Sequence, residues 1–378
     1  MAKVALISCP DYERDSVQNA IEKGFACFGG CVGLFSPGER VLLKPNLLAG
    51  VTPEQAVTTH PEVFRAIAVT LLGTGVRVGY GDSPGYGNPS LVAEKAGLEA
   101  VAQEIGLARA DFMTSQDVDF PEGRQHKKFP LAQGISQYDT LLSLPKWKTH
   151  GLTRITGAVK NQFGCVPGLR KTEYHFKMPD VEHFSRFLVD LNRFLRPRFC
   201  IMDAVMAMEG EGPRSGDPRM MGVIGFSDDP VALDAVFCRL IDVDPTLVPT
   251  CRWGAAMGLG EIDETRIVLA GDPLEKFVLR DFRVKRGPLE SYKQRKLMRG
   301  LRRFVLARPR IEPKLCRLCA VCCEVCPAQP KALEMKRAGW PPVFHERFCI
   351  RCFCCQEMCP HRAITIHTPP LRRLIPLR

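Results

Sequence analysis

A chain of 378 residues with 45% hydrophobic content is long enough for two domains and a sizeable core, so it needs no covalent staples to fold. Its formal charge of +11 is unevenly spread: residues 280 to 378 hold 23 Lys and Arg against seven Asp and Glu, whereas the first 279 hold 29 against 34. The opening "MAKVALISCPDY" has too short an apolar run for a signal peptide or a membrane span, so the expected compartment is the cytoplasm, where seventeen cysteines argue against a disulfide framework and for metal ligation.

In chain order, short apolar runs predict strands at "KVALIS" (3 to 8), "RVLLKP" (40 to 45), "VRVGYGD" (76 to 82), "DTLLSLP" (139 to 145), "RFCIMDA" (198 to 204), "MGVIGFS" (221 to 227) and "RIVLAG" (266 to 271). Helical periodicity falls between several of them, in "PEVFRAIAVTLLGTG", "SLVAEKAGLEAVAQEIG", "VEHFSRFLVDLNRFL" and "DPVALDAVFCRLI". Strands alternating with helices predict an α/β body over residues 1–280 with a mainly parallel sheet. Residues 281–313 break the pattern: Leu289, Tyr292, Leu297, Leu301, Phe304 and Val305 lie loosely on one side of a basic amphipathic linker helix. A small domain over 314–368 and a basic tail over 369–378 complete the expected organisation.

Ten of the seventeen cysteines lie between Cys316 and Cys359. "CRLCAVCCEVCP" and "CIRCFCCQEMCP" each fit C-x2-C-x2-C-x3-C-P, through Cys316, Cys319, Cys322 and Cys326, and through Cys349, Cys352, Cys355 and Cys359. This duplicated spacing resembles the bacterial two-cluster ferredoxins, in which three cysteines of one run and the last cysteine of the other hold each cubane. The resemblance implies two 4Fe-4S clusters, one on Cys316, Cys319, Cys322 and Cys359, the other on Cys349, Cys352, Cys355 and Cys326. Zinc is the competing ligand for C-x2-C pairs, disfavoured by two Pro-terminated runs. Cys323 and Cys354 fall outside the spacing and read as small packed hydrophobes.

Five polar segments follow predicted strands: "KPN" (Lys44 to Asn46), "GDSPG" (Gly81 to Gly85), "PKWKTHG" (Pro145 to Gly151), "DAVMAMEGEGP" (Asp203 to Pro213) and "DDPVALDAV" (Asp228 to Val236). Ligands of open parallel sheets bind at that edge, so these loops are expected to share one cleft with "TGAVKNQFGCVPG". The cleft is expected to hold an anion through Lys44, Lys146 and Lys160, with Lys171 as a further cation and Asn46, His60, Asp82, Asn161, Asp203 and Glu209 as other binding groups. Lys148, His150 and His175 are the expected catalytic side chains, the histidines suited to proton transfer. Glu211 and Asp234 are further candidate carboxylates. His60 precedes Pro61 and equally suits a helix cap.

"VLLKPNLL", "TTHPEVFRAI", "GDSPG", "LPKWKTHGLTRITGAVKNQFGCVPG", "DAVMAMEGEGP" and "SDDPVALDAV", in that order and followed by the cysteine module, resemble the family called domain of unknown function 362. That family is similar in part to the lactate racemases, which implies a two-lobed α/β body; nickel-pincer racemase motifs are not matched here. A two-cluster carrier fused to a polar cleft gives the expected activity: reduction or oxidation of an anionic substrate or cofactor, one electron at a time. The alternative is a non-catalytic electron-transfer adaptor whose basic quarter docks an acidic redox partner of ferredoxin or flavodoxin type. Nucleic-acid or membrane binding by the linker and tail ranks last.

Overall fold

The computed structural model describes residues 1–168, 170–178, 180–287 and 306–369. A single ten-stranded sheet runs through the body. Its strands are β1 (Ala2–Ser8), β2 (Arg40–Pro45), β3 (Arg77–Tyr80), β4 (Ala108–Arg109), β7 (Thr140–Leu144), β8 (Lys146–His150), β9 (Arg154–Thr156), β10 (Phe199–Glu209), β11 (Asp217–Ser227) and β12 (Ile267–Gly271), with β5 (Ser115–Asp119) and β6 (Lys128–Ala132) forming a separate hairpin. The order across the sheet is β12-β1-β11-β10-β7-β2-β3-β4, with β8 beside β10 and carrying β9. Along that order only β11 runs against its neighbours, and β9 is antiparallel to β8, so the sheet is mostly parallel.

Alternation along the strands explains why both faces are covered. In β1, Ala5 and Ile7 face one core while Val4 and Leu6 face another, since successive side chains point to opposite sides. The first core takes helices Arg14–Ala26, Pro61–Leu72 and Leu98–Glu104; on the other face, helices Val181–Leu195 and Pro230–Leu240 supply Phe184, Phe187, Leu233 and Phe237. Such two-sided burial is what a largely parallel sheet requires. The seven strands expected from sequence are present, but one sheet spans the body where two lobes were expected.

Three further expectations are corrected. The segment "KWKTH" is strand β8 and not a loop; its alternating polar and large residues are a strand pattern that the preceding proline disguised. The long helix expected from 90 to 106 is two helices, Pro89–Lys95 and Leu98–Glu104, broken where Gly97 adopts φ 77°. Because β11 is antiparallel, the chain leaves Ser227 in the opposite direction from the loops after β2, β3 and β7. The "DDPVALDAV" segment therefore does not join them: Asp229 caps Pro230–Leu240, and Asp234 accepts hydrogen bonds from the backbone of Ala158 and Val159 at 2.6 and 3.1 Å. Of the expected linker, residues 288–305 lie outside the described residues, but its end is not helical: Arg308–Ile311 is a strand paired with Ile364–His367, so the C-terminal unit begins before residue 314. The basic tail from 370 onward lies outside the described residues.

The C-terminal part is a small unit of two antiparallel pairs, β13 (Arg308–Ile311) with β16 (Ile364–His367) and β14 (Leu333–Glu334) with β15 (Val343–Phe344). Each cysteine run contains a one-turn helix, Val321–Glu324 or Cys354–Met358. Its second run packs on the body: Gln356 donates to the carbonyl of Glu211 at 2.8 Å, and Arg214 to that of Met358 at 3.1 Å. Gly85 allows this approach, since a Cβ there would stand 2.7 Å from the Met358 sulfur.

Trp147 anchors β8 from the face opposite its lysines, fully buried and 5.4 Å from the ring of Phe237. Its indole N–H has no hydrogen-bond partner among the described residues, so volume and not polarity is what it contributes. Trp147→Ala is expected to cost about 3–5 kcal/mol in denaturant unfolding. Trp147→Phe, which removes the orphan donor, should cost under about 1.5 kcal/mol by the same measurement.

Candidate functional site

Strand β8 sets out the site. Lys146, Lys148 and His150 share one face at a spacing of about 6.6 Å, twice the strand rise, and all three are buried. A buried cation needs a partner, and each finds a different one.

At the first position, Lys146 Nζ lies 2.8 Å from Asp203 Oδ2 and donates to the Tyr12 hydroxyl at 2.7 Å. Tyr12 in turn donates to Asp203 Oδ1 at 2.8 Å, and the His60 backbone N–H donates to Oδ2 at 2.9 Å. The Tyr12 and His60 rings stack with centroids 3.5 Å apart. Burial lowers Lys146, and the Asp203 carboxylate opposes that shift. This is a closed, mutually satisfied cluster, so Lys146, His60 and Asp203 brace β8 against β10 and the helix Pro61–Leu72.

At the second position, Lys148 Nζ donates to Asn46 Oδ1 at 2.7 Å and to the Val57 carbonyl at 2.6 Å. Neither acceptor is charged. Burial, then the nearby Lys160 and Lys146, pulls Lys148 well below an ordinary lysine. Asn46 Nδ2 donates to Asn161 Oδ1 at 3.2 Å, and Asn161 is held from behind by its donation to Ser143 Oγ at 3.0 Å. Lys44, beside Ser143 in register, reaches the same amide oxygen at 3.3 Å and pairs with Asp82 at 2.7 Å, both fully withdrawn from solvent. Asp82 also accepts the N–H groups of Leu47 at 2.7 Å and Ser83 at 3.0 Å. The carboxyl ends of β2, β3 and β7 are thereby tied together. Gly164 is required for the fit, as a Cβ there would fall 1.8 Å from Asp82 Oδ1.

At the third position, His150 Nδ1 accepts the N–H groups of Leu152 and Thr153 at 3.0 and 3.2 Å, which leaves Nε2 aimed 3.0 Å from Glu357 Oε1 in the second cysteine run. Burial lowers His150, with Glu357 opposing that shift.

In front of these residues lies a cavity of about 80 Å³ between body and module. Asn46, Asp82, Lys160, Lys171 and Asn161 line it from the body, with Leu47, Leu48 and Phe163 as apolar surface; Cys354, Glu357 and Met358 line it from the module. Lys171 is buried and donates to the Pro84 carbonyl at 3.1 Å, and burial pulls it down to about 7. Lys160 is partly buried and is lowered by desolvation, with Glu357 and Cys354 opposing.

Of the residues expected from sequence, Asn46, Asp82, Lys160 and Asn161 line the cavity, Lys44 and Lys148 stand directly behind it, and His150 touches its Glu357 wall. Lys146, His60 and Asp203 form the separate cluster. Glu209 does not line the cavity: it accepts from the Arg283 backbone at 2.9 Å and side chain at 2.8 Å. Glu211 contributes its backbone carbonyl to Gln356. The His175 side chain lies outside the described residues. Tyr12, Glu357 and Met358 were not foreseen. Tyr12 lies in the loop four residues past the end of β1 and was readable as a strand-end residue, whereas Glu357 and Met358 occupy spacer positions of a cysteine motif, where residue type carries no signal.

The two cysteine loops share their backbone shape. Leu318 and Ala320 have φ 59° and 58°, and Arg351 and Phe353, at the equivalent places, 63° and 64°. Left-handed non-glycine residues each cost of order 1–3 kcal/mol, so four in register mark a conformation that the surroundings impose. Such turns aim backbone N–H groups inward and form the concavities found around iron-sulfur sites. Cys316, Cys319, Cys322 and Cys359 line one common cavity. Cys355 is raised by burial and then by its neighbours Cys352 and Cys349, with Cys326 also within reach. Among the described residues no group of three metal-ligating side chains is close enough to hold a single ion. Four thiols lining one cavity are the donor type that a cubane takes.

These features define a mostly parallel α/β body whose strand-end lysines face a cysteine-rich module. The chain belongs to the family described as domain of unknown function (DUF362), which matches residues 41–239. A thylakoid-associated protein of Synechocystis is 34% identical over 257 residues, 68% of this chain and 79% of that one. Among solved structures, the lactate racemase apoprotein from Thermoanaerobacterium thermosaccharolyticum superposes with TM-score 0.39 at 13% identity, over 61% of this chain and 55% of that one. A Thermotoga maritima protein gives TM-score 0.33 at 11% identity, over 59% and 57%. The likeness thus spans little more than half of each solved chain. No helix among the described residues is long and apolar enough to cross a membrane.

His60 gives a pH test of this packing. Its Nδ1 accepts the Glu62 N–H at 3.2 Å as the cap of Pro61–Leu72, which requires a neutral ring, and burial lowers it from 6.5 to about 4. The unfolded chain therefore binds the proton more readily, and stability should fall by roughly 3 kcal/mol as pH drops from 6.5 to 4. His60→Asn preserves a cap and should remove that part of the loss when urea midpoints of the two proteins are compared across this range.

Proposed function

We propose that the protein is an iron-sulfur redox enzyme in which two 4Fe-4S clusters exchange electrons with an anionic substrate or cofactor held between the α/β body and the cysteine module. The observation that carries this reading is the shared lining of the cavity, lysines and amides on one wall and the second cysteine run on the other. A group bound there lies against the loop that would hold one cluster. The other cysteine set is near the surface, with Cys319 exposed beside Leu315 and Leu318.

This asymmetry gives the reading a direction. When bound, the clusters supply single-electron transfer. A reduced electron-carrier protein would dock at the exposed set, and two electrons with two protons would reduce one bond of the anion in the cavity. Within the chain, Lys160 and Lys171 hold the anion, Asn46 and Asn161 orient it, and Lys44 with Asp82 keeps the floor fixed. Glu357, 3.0 Å from His150, is the group placed to pass a proton to the cavity. Lys148, neutral-leaning and behind Asn46, acts through that amide.

The adaptor reading is supported by the same exposed rim, but it leaves the lysines of the cavity without a role. Ferredoxin-like architecture of residues 306–369 is part of the proposal, supported by the paired strands and the repeated loop backbone.

Anaerobically purified full-length protein is expected to contain about eight iron and eight sulfide per chain, from two cubanes. Cys319→Ser and Cys352→Ser should each lower iron toward half, the first with no effect on packing against the body. Stoichiometric zinc with no sulfide would contradict the proposal.

A further inference from the structure

The cavity holds more positive charge than its surroundings neutralise. Lys44 has a carboxylate, Asp82, which is already saturated by Lys44 and two backbone N–H groups. Among the described residues, Lys148 has only an amide oxygen and a carbonyl, and Lys171 only the carbonyl of Pro84. Lys160 has no hydrogen bond and no carboxylate within 4.0 Å among the described residues; its Nζ stands 6.0 Å from the centroid of Phe163. Lys148 and Lys171 are among the buried residues. Buried charges in folded proteins are otherwise paired.

Three lysines with no carboxylate within 4.0 Å among the described residues, so close that Lys160 depresses both Lys148 and Lys171, are an arrangement that disfavours their charged forms in the ligand-free protein. The other titratable groups facing them are the carboxylates of Asp82 and Glu357, the His150 imidazole, and the thiols of Cys165 and Cys354. Glu357 lies 3.0 Å from His150, but burial lowers that imidazole, so the carboxylate also acts on Lys148 and Lys160. Lys148, Lys160 and Lys171, when protonated, exceed Glu357 by two positive charges, which one negative charge on a ligand would not balance and two would.

We infer that the cavity binds a small anion carrying two negative charges, a phosphate or a dicarboxylate, with Lys160 and Lys171 as its direct contacts and Phe163, Leu47 and Met358 covering its apolar part. The inference rests on the redox reading of this cavity and names its ligand class. A phosphate would take the two ammonium groups on one head; a dicarboxylate would place one carboxylate on each. The cavity, about 80 Å³, has room for a small anion such as a phosphate or a short dicarboxylate.

The test is isothermal titration of the anaerobically purified full chain with inorganic phosphate, succinate and acetate as probes, together with thermal unfolding. At least one of the two dianions is expected to bind tenfold or more tightly than acetate, and which one identifies the head group. Lys160→Met and Lys171→Met should each weaken that binding at least tenfold. Each should also raise the melting temperature of the ligand-free protein, because an uncompensated charge is removed; a lysine that was merely structural would lower it. Acetate binding as tightly as both dianions, no dianion binding at millimolar concentration, or affinities untouched by both substitutions would overturn the inference. Loss of iron from otherwise dianion-binding protein would instead overturn the redox reading alone, so the two failures are separable.

Discussion

The site depends on the buried pair between Lys44 and Asp82. Two opposite charges withdrawn from water recover their solvation only if every remaining donor and acceptor is used, and here they are: Asp82 takes two backbone N–H groups besides the lysine, and Lys44 takes a carbonyl and the Asn161 amide. These bonds come from β2, the turn after β3, and the segment around Asn161. One ion pair therefore fixes three segments that the chain supplies from far apart in sequence, and fixes the floor of the cavity with them. The same saturation is why Asp82 cannot also neutralise Lys160 and Lys171, which leaves the cavity electropositive.

Strand β8 extends this frame toward the cysteine module. Its row of Lys146, Lys148 and His150 passes from a closed structural cluster, through the amide network, to Glu357. Burial disfavours the charged form of all three, and the differing partners set what each can do: Lys146 keeps a carboxylate, Lys148 does not, and His150 faces one across the domain contact. The module is held at this place by backbone hydrogen bonds and by glycines at Gly85 and Gly151, the second of which would place a Cβ 2.8 Å from Ile366. Close packing of that kind makes the cavity a property of both parts together.

Much of the arrangement was legible in the sequence. The seven principal strands follow from apolar runs, and the cysteine spacing repeats in the backbone as well, with left-handed residues at equivalent positions of both loops. Strand direction was not legible: nothing local to "MGVIGFS" distinguishes an antiparallel strand, so the loop after it was assigned to the wrong place. Burial of charge was equally hidden, because a lysine such as Lys146 reads the same whether it meets solvent or Asp203. Glu209 was drawn into the site by its position after a strand, although β10 continues to that residue and Arg283, seventy-four residues on, claims its carboxylate. Contacts across such separations are set by the tertiary fold and leave no mark on the neighbouring sequence.

The central claim is that a ligand in the cavity lies against the cysteine loop of Cys349, Cys352 and Cys355. Electron paramagnetic resonance of the chemically reduced full chain, recorded with and without the anion that binds, tests it most directly. The account predicts that the anion shifts one of two cluster signals, and that the shift survives Cys319→Ser, which removes the exposed set. Superimposable spectra with the anion demonstrably bound would contradict it.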